Sequence, residues 1–337
     1  MNSILILILT ILLFNLSIYL KFEIIANKLN FFDKPDGKLK KHSQPVSLIG
    51  GLVILINIYL IVFILNLLGL ESLLFEKKYL SLFLFLTTLF YMVGALDDLK
   101  NINPNYKLLL IFLVLVISII FFPEIKIVEI KISFLPKIYY FKFPYTQIFI
   151  IFSFLLLVNA MNMFDGTNLQ LISYSTFVII LFILKGFMPI FFILLTICLI
   201  MLGILNFRNK VFLGDGGSNL LSAVLGLTFI YQYKKFDNIF LGDEVFVILL
   251  IPAIDMLRLF FMRLINKSNP FKGDLNHLHH IVNRFIKNKI LTVIITVSIC
   301  IVPTIFMYLN IKTYIVLIGC SILYFILINL LSRKKYL

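Results

Sequence analysis

Two aspartates stand side by side at Asp97-Asp98, where an apolar run gives way to Leu99-Lys100-Asn101-Ile102-Asn103-Pro104-Asn105-Tyr106-Lys107. Adjacent carboxylates repel each other, and a cation, a lysine or a proton has to relieve the repulsion. A divalent metal carrying phosphate ligands is one solution, since Mg²⁺ favours carboxylate and phosphate oxygens. A solvated turn paired with Lys100 is another. Further on, Asn159 and Asn162 stand three residues apart and would share one helical face. Asp165-Gly166 then breaks that helix, and Asn168 follows. Amides are costly in an apolar medium unless paired, so this cluster reads as a polar pocket or as an Asn-rich helix terminus.

The stretch Phe212-Leu213-Gly214-Asp215-Gly216-Gly217-Ser218-Asn219 sets three glycines around one acid just before another apolar run. Glycines at Gly214 and Gly216 permit close backbone approach. Successive N–H groups at a helix start form an anion site, to which the acid could bring a metal; a turn capped by Ser218 is the plainer alternative. Three of the four histidines, His277, His279 and His280, fall within four residues after Pro270-Phe271-Lys272-Gly273-Asp274. Zinc is one reading, but His277 and His280 alone offer helical ligand spacing and no cysteine is near; donation to phosphate oxygens fits at least as well. Lys41 and His42, in a lysine-rich stretch that also holds Lys34, Lys38 and Lys40, suit a polyphosphate or set topology.

The elements that carry these residues are apolar. The chain is 61% hydrophobic and 14% charged, against roughly 25% charged residues in soluble domains, and no water-exposed surface could hide so much apolar area. A bilayer span takes ~20 apolar residues. Runs of that kind lie at about 3–20, 47–70, 79–96, 108–122, 146–162, 171–186, 188–206, 218–233, 244–262, 291–309 and 313–331. They are apolar all round rather than alternating, which favours helices over barrel strands. The expected fold is therefore all-α: one polytopic membrane domain over 1–337 with about eleven transmembrane helices. Met1 to Leu20 lacks a basic n-region and a small-residue cleavage site, and reads as the first helix. Alternating apolar and polar residues from Ile125 to Ile132 predict a short surface hairpin. Asp255 and Arg258 fall three apart inside a span and are placed to pair. Cys198, Cys300 and Cys320 read as small core residues.

Lysine and arginine concentrate in the odd-numbered connectors and the C-terminal tail, which puts those segments in the cytoplasm and the N-terminus outside. The net charge of +14 fits this bias and attraction to anionic membrane lipids; without a soluble basic domain, nucleic acid is not an expected partner. All five polar stretches fall in odd connectors, at about 21–46, 97–107, 163–170, 207–217 and 263–290. Helices that cross and return would gather them on the cytoplasmic face. Acids, amides, histidines and lysines together suit metal-assisted chemistry on a phosphoanhydride.

In order and together, these motifs resemble the polyprenyl-phosphate N-acetylhexosamine-1-phosphate transferases (glycosyl transferase family 4), nearest to the bacterial undecaprenyl-phosphate N-acetylglucosaminyl-1-phosphate transferases. The resemblance runs from about Phe32 to about Arg284. It rests on Asp97-Asp98 with Asn103-Pro104 and Lys107, Asn159-x-x-Asn162-x-x-Asp165-Gly166, Phe212-Leu213-Gly214-Asp215-x-Gly217-Ser218, and Pro270-Phe271 before Asp274 and His277-Leu278-His279-His280. It implies a UDP-N-acetylhexosamine donor, a polyprenyl phosphate acceptor, and UMP and a polyprenyl-diphosphoryl sugar as products, the first membrane step of a cell-surface glycan pathway. It also implies Mg²⁺ (Mn²⁺ as the alternative) with Asp215 as principal ligand, a place in the bacterial inner membrane, and a homodimer. Asp97 or Asp98 would activate or align the lipid phosphate. Asp165 with Asn159 and Asn162 would line the nucleotide-sugar site, and the histidines would contact the diphosphate or sugar.

Three departures stand out. Asn168 replaces a second acid that the family often carries after Asp165-Gly166; Ser47 replaces a proline, and Leu275 an arginine. The muramoyl-pentapeptide transferases, with a triple histidine followed by Phe-Glu, match His279-His280-Ile281 less well. A secondary transporter would place its ionisable groups at mid-membrane in broken helices, whereas most acids here fall at helix ends.

Overall fold

The structure is a computed structural model that describes residues 2–33, 45–123, 125–235, 239–271 and 274–333. Lys41 and His42 lie outside the described residues. Twelve α-helices follow one another among them: α1 (Asn2–Leu29), α2 (Gly50–Leu67), α3 (Lys77–Lys100), α4 (Pro104–Phe121), α5 (Tyr145–Phe164), α6 (Gln170–Leu184), α7 (Pro189–Phe207), α8 (Gly214–Lys235), α9 (Gly242–Ile265), α10 (Leu278–Ile286), α11 (Lys289–Tyr308) and α12 (Thr313–Arg333). Each of the eleven expected spans coincides with a helix. Nine of these helices are long and apolar enough to cross a membrane. The exceptions have local causes. Helix α6 has only 15 residues, and α8 begins four residues earlier than hydropathy indicates, taking the polar Gly214-Asp215-Gly216-Gly217 into its first turn. The twelfth helix, α10, forms within the histidine-bearing connector; it buries Leu278, His279, Ile281 and Val282.

Outward-facing Leu13, Phe63, Ile120, Leu184, Ile265 and Leu330 are each more than half exposed. In water such surface costs about 25 cal/mol per Å², a cost that lipid removes. The protein is an integral, multi-pass membrane protein.

Chain contacts divide the molecule into two compact units, Met1–Val114 with Ser175–Leu225, and Leu115–Tyr174 with Gly226–Leu337. In the first, Phe75 packs on Phe83 at a ring-centroid distance of 4.6 Å, and Phe191 meets Phe83 edge-on. Asn15 and Asn57 exchange amide hydrogen bonds of 2.7 and 3.1 Å between α1 and α2, so neither amide is left unpaired in lipid. A two-residue ladder pairs β1 (Phe32–Asp33) with β2 (Val46–Ser47), Phe32 opposite Ser47 and Asp33 opposite Val46.

In the second unit, Val247 and Leu250 of α9 form a buried cluster with Met307, Val316 and Cys320 of α11 and α12. Tyr174 donates to the Ile248 carbonyl at 2.7 Å. The expected surface hairpin is present as β3 (Glu129–Ile130) against β4 (Tyr139–Tyr140), with Glu129 opposite Tyr140. Asp243, buried at the start of α9, holds it by accepting from the Ser133 N–H at 2.9 Å and from the Ser133 hydroxyl at 2.5 Å.

Candidate active site

The first unit contains a cluster of three acids around one lysine. Helix α3 ends at Lys100, and its cap Asn101 takes the left-handed conformation (φ 48°) with its N–H on the Asp97 carbonyl. That reversal brings Ile102 N–H to within 2.7 Å of Asp97 Oδ1 and starts α4 at Pro104, a residue suited to a helix's first turn. Lys107, in that first turn, then points back. Its ammonium lies 3.0 Å from Asp97 Oδ2 and 2.5 Å from Asp215 Oδ2. The lysine that relieves the acid pair is thus Lys107 and not Lys100, because the turn aims α4's first residues at the end of α3.

Asp98 does something different. Its two carboxylate oxygens accept the N–H groups of Asp215 and Gly216, each at 2.9 Å, and so cap α8 where the helix carries its partial positive charge. The N–H groups that suggested a phosphate cradle at Gly214-Asp215-Gly216 are therefore largely spent on Asp98. The fit needs glycine. Gly214 has φ +71°, and a Cβ there would stand 2.6 Å from Asp98 Oδ2. At Gly94 a Cβ would run into the Asp215 carbonyl. Gly50 and Gly51 bring α2 alongside, donating to the Phe212 and Leu213 carbonyls at 3.2 Å each.

The donor chemistry fits a magnesium ion. Asp97 and Asp215 present hard carboxylate oxygens that share a single ammonium, leaving an excess of negative charge. One helical turn beyond Asp215, and on its face, the buried Asn219 amide has no hydrogen-bond partner among the described residues for its oxygen or its nitrogen. No group of three or more His, Cys, Asp or Glu among the described residues forms a complete metal cage. Mg²⁺ usually takes one or two carboxylates and completes its shell with water and substrate phosphates, which matches this set.

The second unit holds the amides and the histidines. Asn159 donates to its own helix at the Leu155 carbonyl, 2.7 Å away. Asn162 lies in the last turn of α5, and Asp165 caps it, its N–H on the Met161 and Asn162 carbonyls. Asn168 stands in the turn before α6. Gly166 lies directly against the His279 imidazole, where a Cβ would overlap Nε2. His279 is 1% exposed, with no hydrogen-bond partner at either ring nitrogen among the described residues. It stacks parallel to His277 at 5.8 Å and tilts against His280 at 4.1 Å. Burial, followed by the neighbouring His280 and His277, holds His279 well below the usual imidazole range. Burial, then His277 and Arg284, brings His280 down to about 4. Both rings are neutral at pH 7.

Asp255 is the hub beneath this turn. The pairing with Arg258 expected from their spacing is present at 2.9 Å. The same carboxylate meets His277 Nδ1 at 2.9 Å, the Leu278 N–H at 3.1 Å and the Tyr324 hydroxyl at 2.5 Å. Arg258 also donates to the Asn276 carbonyl at 2.7 Å and to Tyr324 at 2.9 Å. Beside it, Asp274 is held by the Arg263 guanidinium at 2.8 Å and accepts the Asn276 N–H at 2.7 Å.

The expected residues thus fall into two groups: Asp97, Asp98, Gly214, Asp215 and Gly216 in the first unit, and Asn159, Asn162, Asp165, Asn168, His277, His279 and His280 in the second. Sequence reasoning did not count Lys107, Asn219 or Tyr324 among the site residues. Lys107 had a signal, its fixed place after the acid pair. Asn219 had one too, its i+4 spacing from Asp215. Tyr324, inside the last span, had none.

Residues 80–233 match the model of glycosyl transferase family 4, a range that includes all three acids of the first cluster and Lys107. An undecaprenyl-phosphate alpha-N-acetylglucosaminyl 1-phosphate transferase of Thermotoga maritima is 29% identical over 289 residues, covering 82% of this chain and 81% of that protein. Proteins of the same name from Salmonella typhi and Escherichia coli K12 are 26% and 24% identical, each covering 77% of this chain and 71% of their own. The family match runs through the acid–lysine cluster, and the relatives align along most of the bundle. Over residues 80–233 this membrane chain is thus similar to glycosyl transferase family 4, and over most of its length to the undecaprenyl-phosphate alpha-N-acetylglucosaminyl 1-phosphate transferases.

Proposed function

We propose that this protein transfers N-acetylhexosamine 1-phosphate from a UDP-sugar to a polyprenyl phosphate such as undecaprenyl phosphate. The observation that carries the reading is the Asp97–Lys107–Asp215 cluster, a set of hard oxygens and one cation of the kind a diphosphate group requires. The relatives' names support the same acceptor and donor class.

In this reading an oxygen of the lipid phosphate attacks the sugar-linked phosphorus. A new P–O–P linkage forms, the bond to the uridylyl oxygen breaks, and UMP leaves with the electron pair. The attacking oxygen is already anionic near neutral pH, so alignment and charge neutralisation contribute most of the rate. Mg²⁺, or Mn²⁺ in its place, would be held by Asp215 and Asp97 and would neutralise the diphosphate as it cleaves. Lys107 keeps these two carboxylates together. Asp98, with both oxygens committed to backbone N–H groups of α8, serves to position Asp215, whereas Asp97, which meets the Lys107 ammonium, is the member of the pair assigned to the cation and the acceptor phosphate. The neutral, buried His279, with His277, His280 and the Asn159–Asn168 segment, is assigned to the nucleotide sugar. The reaction would take place on the cytoplasmic side of the inner membrane, as the lysine distribution indicates.

The test is direct. The full chain, purified into lipid, is given undecaprenyl phosphate, Mg²⁺ and a panel of UDP-sugars that includes UDP-N-acetylglucosamine and a UDP-muramoyl pentapeptide. Release of UMP with a lipid product whose mass has gained one N-acetylhexosamine phosphate is expected. Absence of UMP from every donor overturns the reading, and product from the muramoyl donor alone moves the protein to the peptidoglycan branch.

A further inference from the structure

The Asp255 carboxylate takes no part in the acid–lysine cluster, yet both of its oxygens are bonded. It is 4% exposed. Oδ1 receives Arg258 at 2.9 Å, Tyr324 at 2.5 Å and the Leu278 N–H at 3.1 Å; Oδ2 receives His277 Nδ1 at 2.9 Å. A carboxylate has about four lone-pair sites, so this one is saturated. The Arg258 guanidinium matches its charge. Because a carboxylate oxygen only accepts, His277 must donate from Nδ1, and in a neutral ring Nε2 then carries the lone pair. The Leu278 N–H is the first of helix α10, so the same acid also caps the helix that carries His279 and His280. Three elements meet at one carboxylate: α9 through Asp255 and Arg258, α12 through Tyr324, and the histidine turn through His277 and Leu278.

We propose that Asp255 is a positioning residue for the transfer reaction: with Tyr324 as its support, it locks His277 in the Nδ1–H tautomer and sets the orientation of the turn that presents His279 and His280. This rests on the function proposed above, in which that turn meets the nucleotide sugar. Asp255 touches no substrate. It decides which nitrogen of His277 carries the lone pair and where the buried His279 ring stands against Gly166. Outer-shell partners of this kind typically change activity by about ten- to a hundredfold when removed.

The experiment uses the full chain in lipid, labelled with ¹⁵N-histidine. In the wild type, solid-state NMR at pH 8 should show an Nδ1–H neutral imidazole that disappears in His277→Gln; an Nε2–H or doubly protonated His277 overturns the proposal. The paired variant Asp255→Leu/Arg258→Met replaces both charges with apolar side chains, so that no single buried charge is stranded. It should lose the Nδ1–H signal and lower kcat by about ten- to a hundredfold, with KM for the UDP-sugar within about threefold. A kcat within about twofold of wild type, or a loss carried by KM alone, overturns it. Should the pair fail to fold, the wild-type tautomer still decides. If the wild type turns over no UDP-sugar, the proposed function fails, while the tautomer measurement stands on its own.

Discussion

Lys107 Nζ lies 2.5 Å from Asp215 Oδ2 and so ties the first turn of α4 to the first turn of α8. The Lys107 side chain is only 13% exposed, and it shares its charge with Asp97. Removing the one cation strands two carboxylates in a poorly solvated site, at a cost of about 3 kcal/mol. Lys107→Gln should therefore lower Tm clearly in thermal scans of the solubilised protein. Added Mg²⁺ should raise the Tm of the variant more than that of the wild type, because the ion replaces the missing charge. An equal or smaller response to Mg²⁺ would argue against a cation site between Asp97 and Asp215.

The two acids that meet at the start of α8 are expected to separate experimentally. Asp215→Asn removes one of three carboxylates around a single lysine, so Tm should hold or rise. Turnover should fall by about a hundredfold or more, and thermal stabilisation by Mg²⁺ should vanish. Asp98→Asn keeps one acceptor for α8 but loses the charge at the helix start. It should cost about 1 kcal/mol, lower turnover through the displaced Asp215, and keep a response to Mg²⁺. Identical behaviour of the two variants would contradict the division of labour drawn from the hydrogen bonds.

Gly166 is a packing test of the histidine turn. A Cβ at this position would overlap the His279 ring, and overpacking of this sort costs about 1–3 kcal/mol. Gly166→Ala should lower both Tm and turnover. Gly319→Ala, in α12 with nothing within 4 Å of the added Cβ, serves as the control and should be neutral or slightly stabilising, since alanine favours a helix more than glycine does.

His280 supplies a pH dependence whose sign can be worked out. Its pKa is depressed from 6.5 to about 4 in the folded protein. Between these values the unfolded chain binds the proton and the folded chain does not, so stability falls as pH is lowered through this window. Above pH 6.5 the ring is neutral in both states and contributes no slope. Melting curves from pH 7 down to 4 should show a decline in Tm that is shallower in His280→Asn. An equal decline in both proteins would place the pH sensitivity elsewhere.

Much of the architecture was legible before any coordinates. Hydropathy located eleven of the twelve helices, because lipid demands a continuous apolar run wherever the chain crosses it. The Asp165-Gly166 break, the hairpin near Ile125–Ile132 and the Asp255–Arg258 pair were equally readable, being local consequences of turn chemistry, alternation and i,i+3 spacing. Helix α10 was missed because nine residues with a mixed apolar and charged face leave no span-like signal. The start of α8 was missed for a related reason: a glycine-rich polar stretch reads as a loop unless something caps it, and the cap, Asp98, lies 117 residues earlier.

What this chain's amino acids determined unaided was the solvent it folds in, the number and placement of its apolar helices, and the presence of acids, amides, histidines and lysines at helix ends. Which of those groups meet was decided only by tertiary packing. Both Lys100 and Lys107 were available to Asp97, and a left-handed Asn101 with the course of α4 selected Lys107. Asp98 was spent on α8, and His277 was turned toward Asp255. Periodicity sets the face of a helix on which a side chain stands, but not which distant backbone or charge will be opposite it. That choice comes from close approaches such as Gly94 against Asp215 and Gly166 against His279, where the missing Cβ lets two elements come near enough to share a hydrogen bond or a stacked ring.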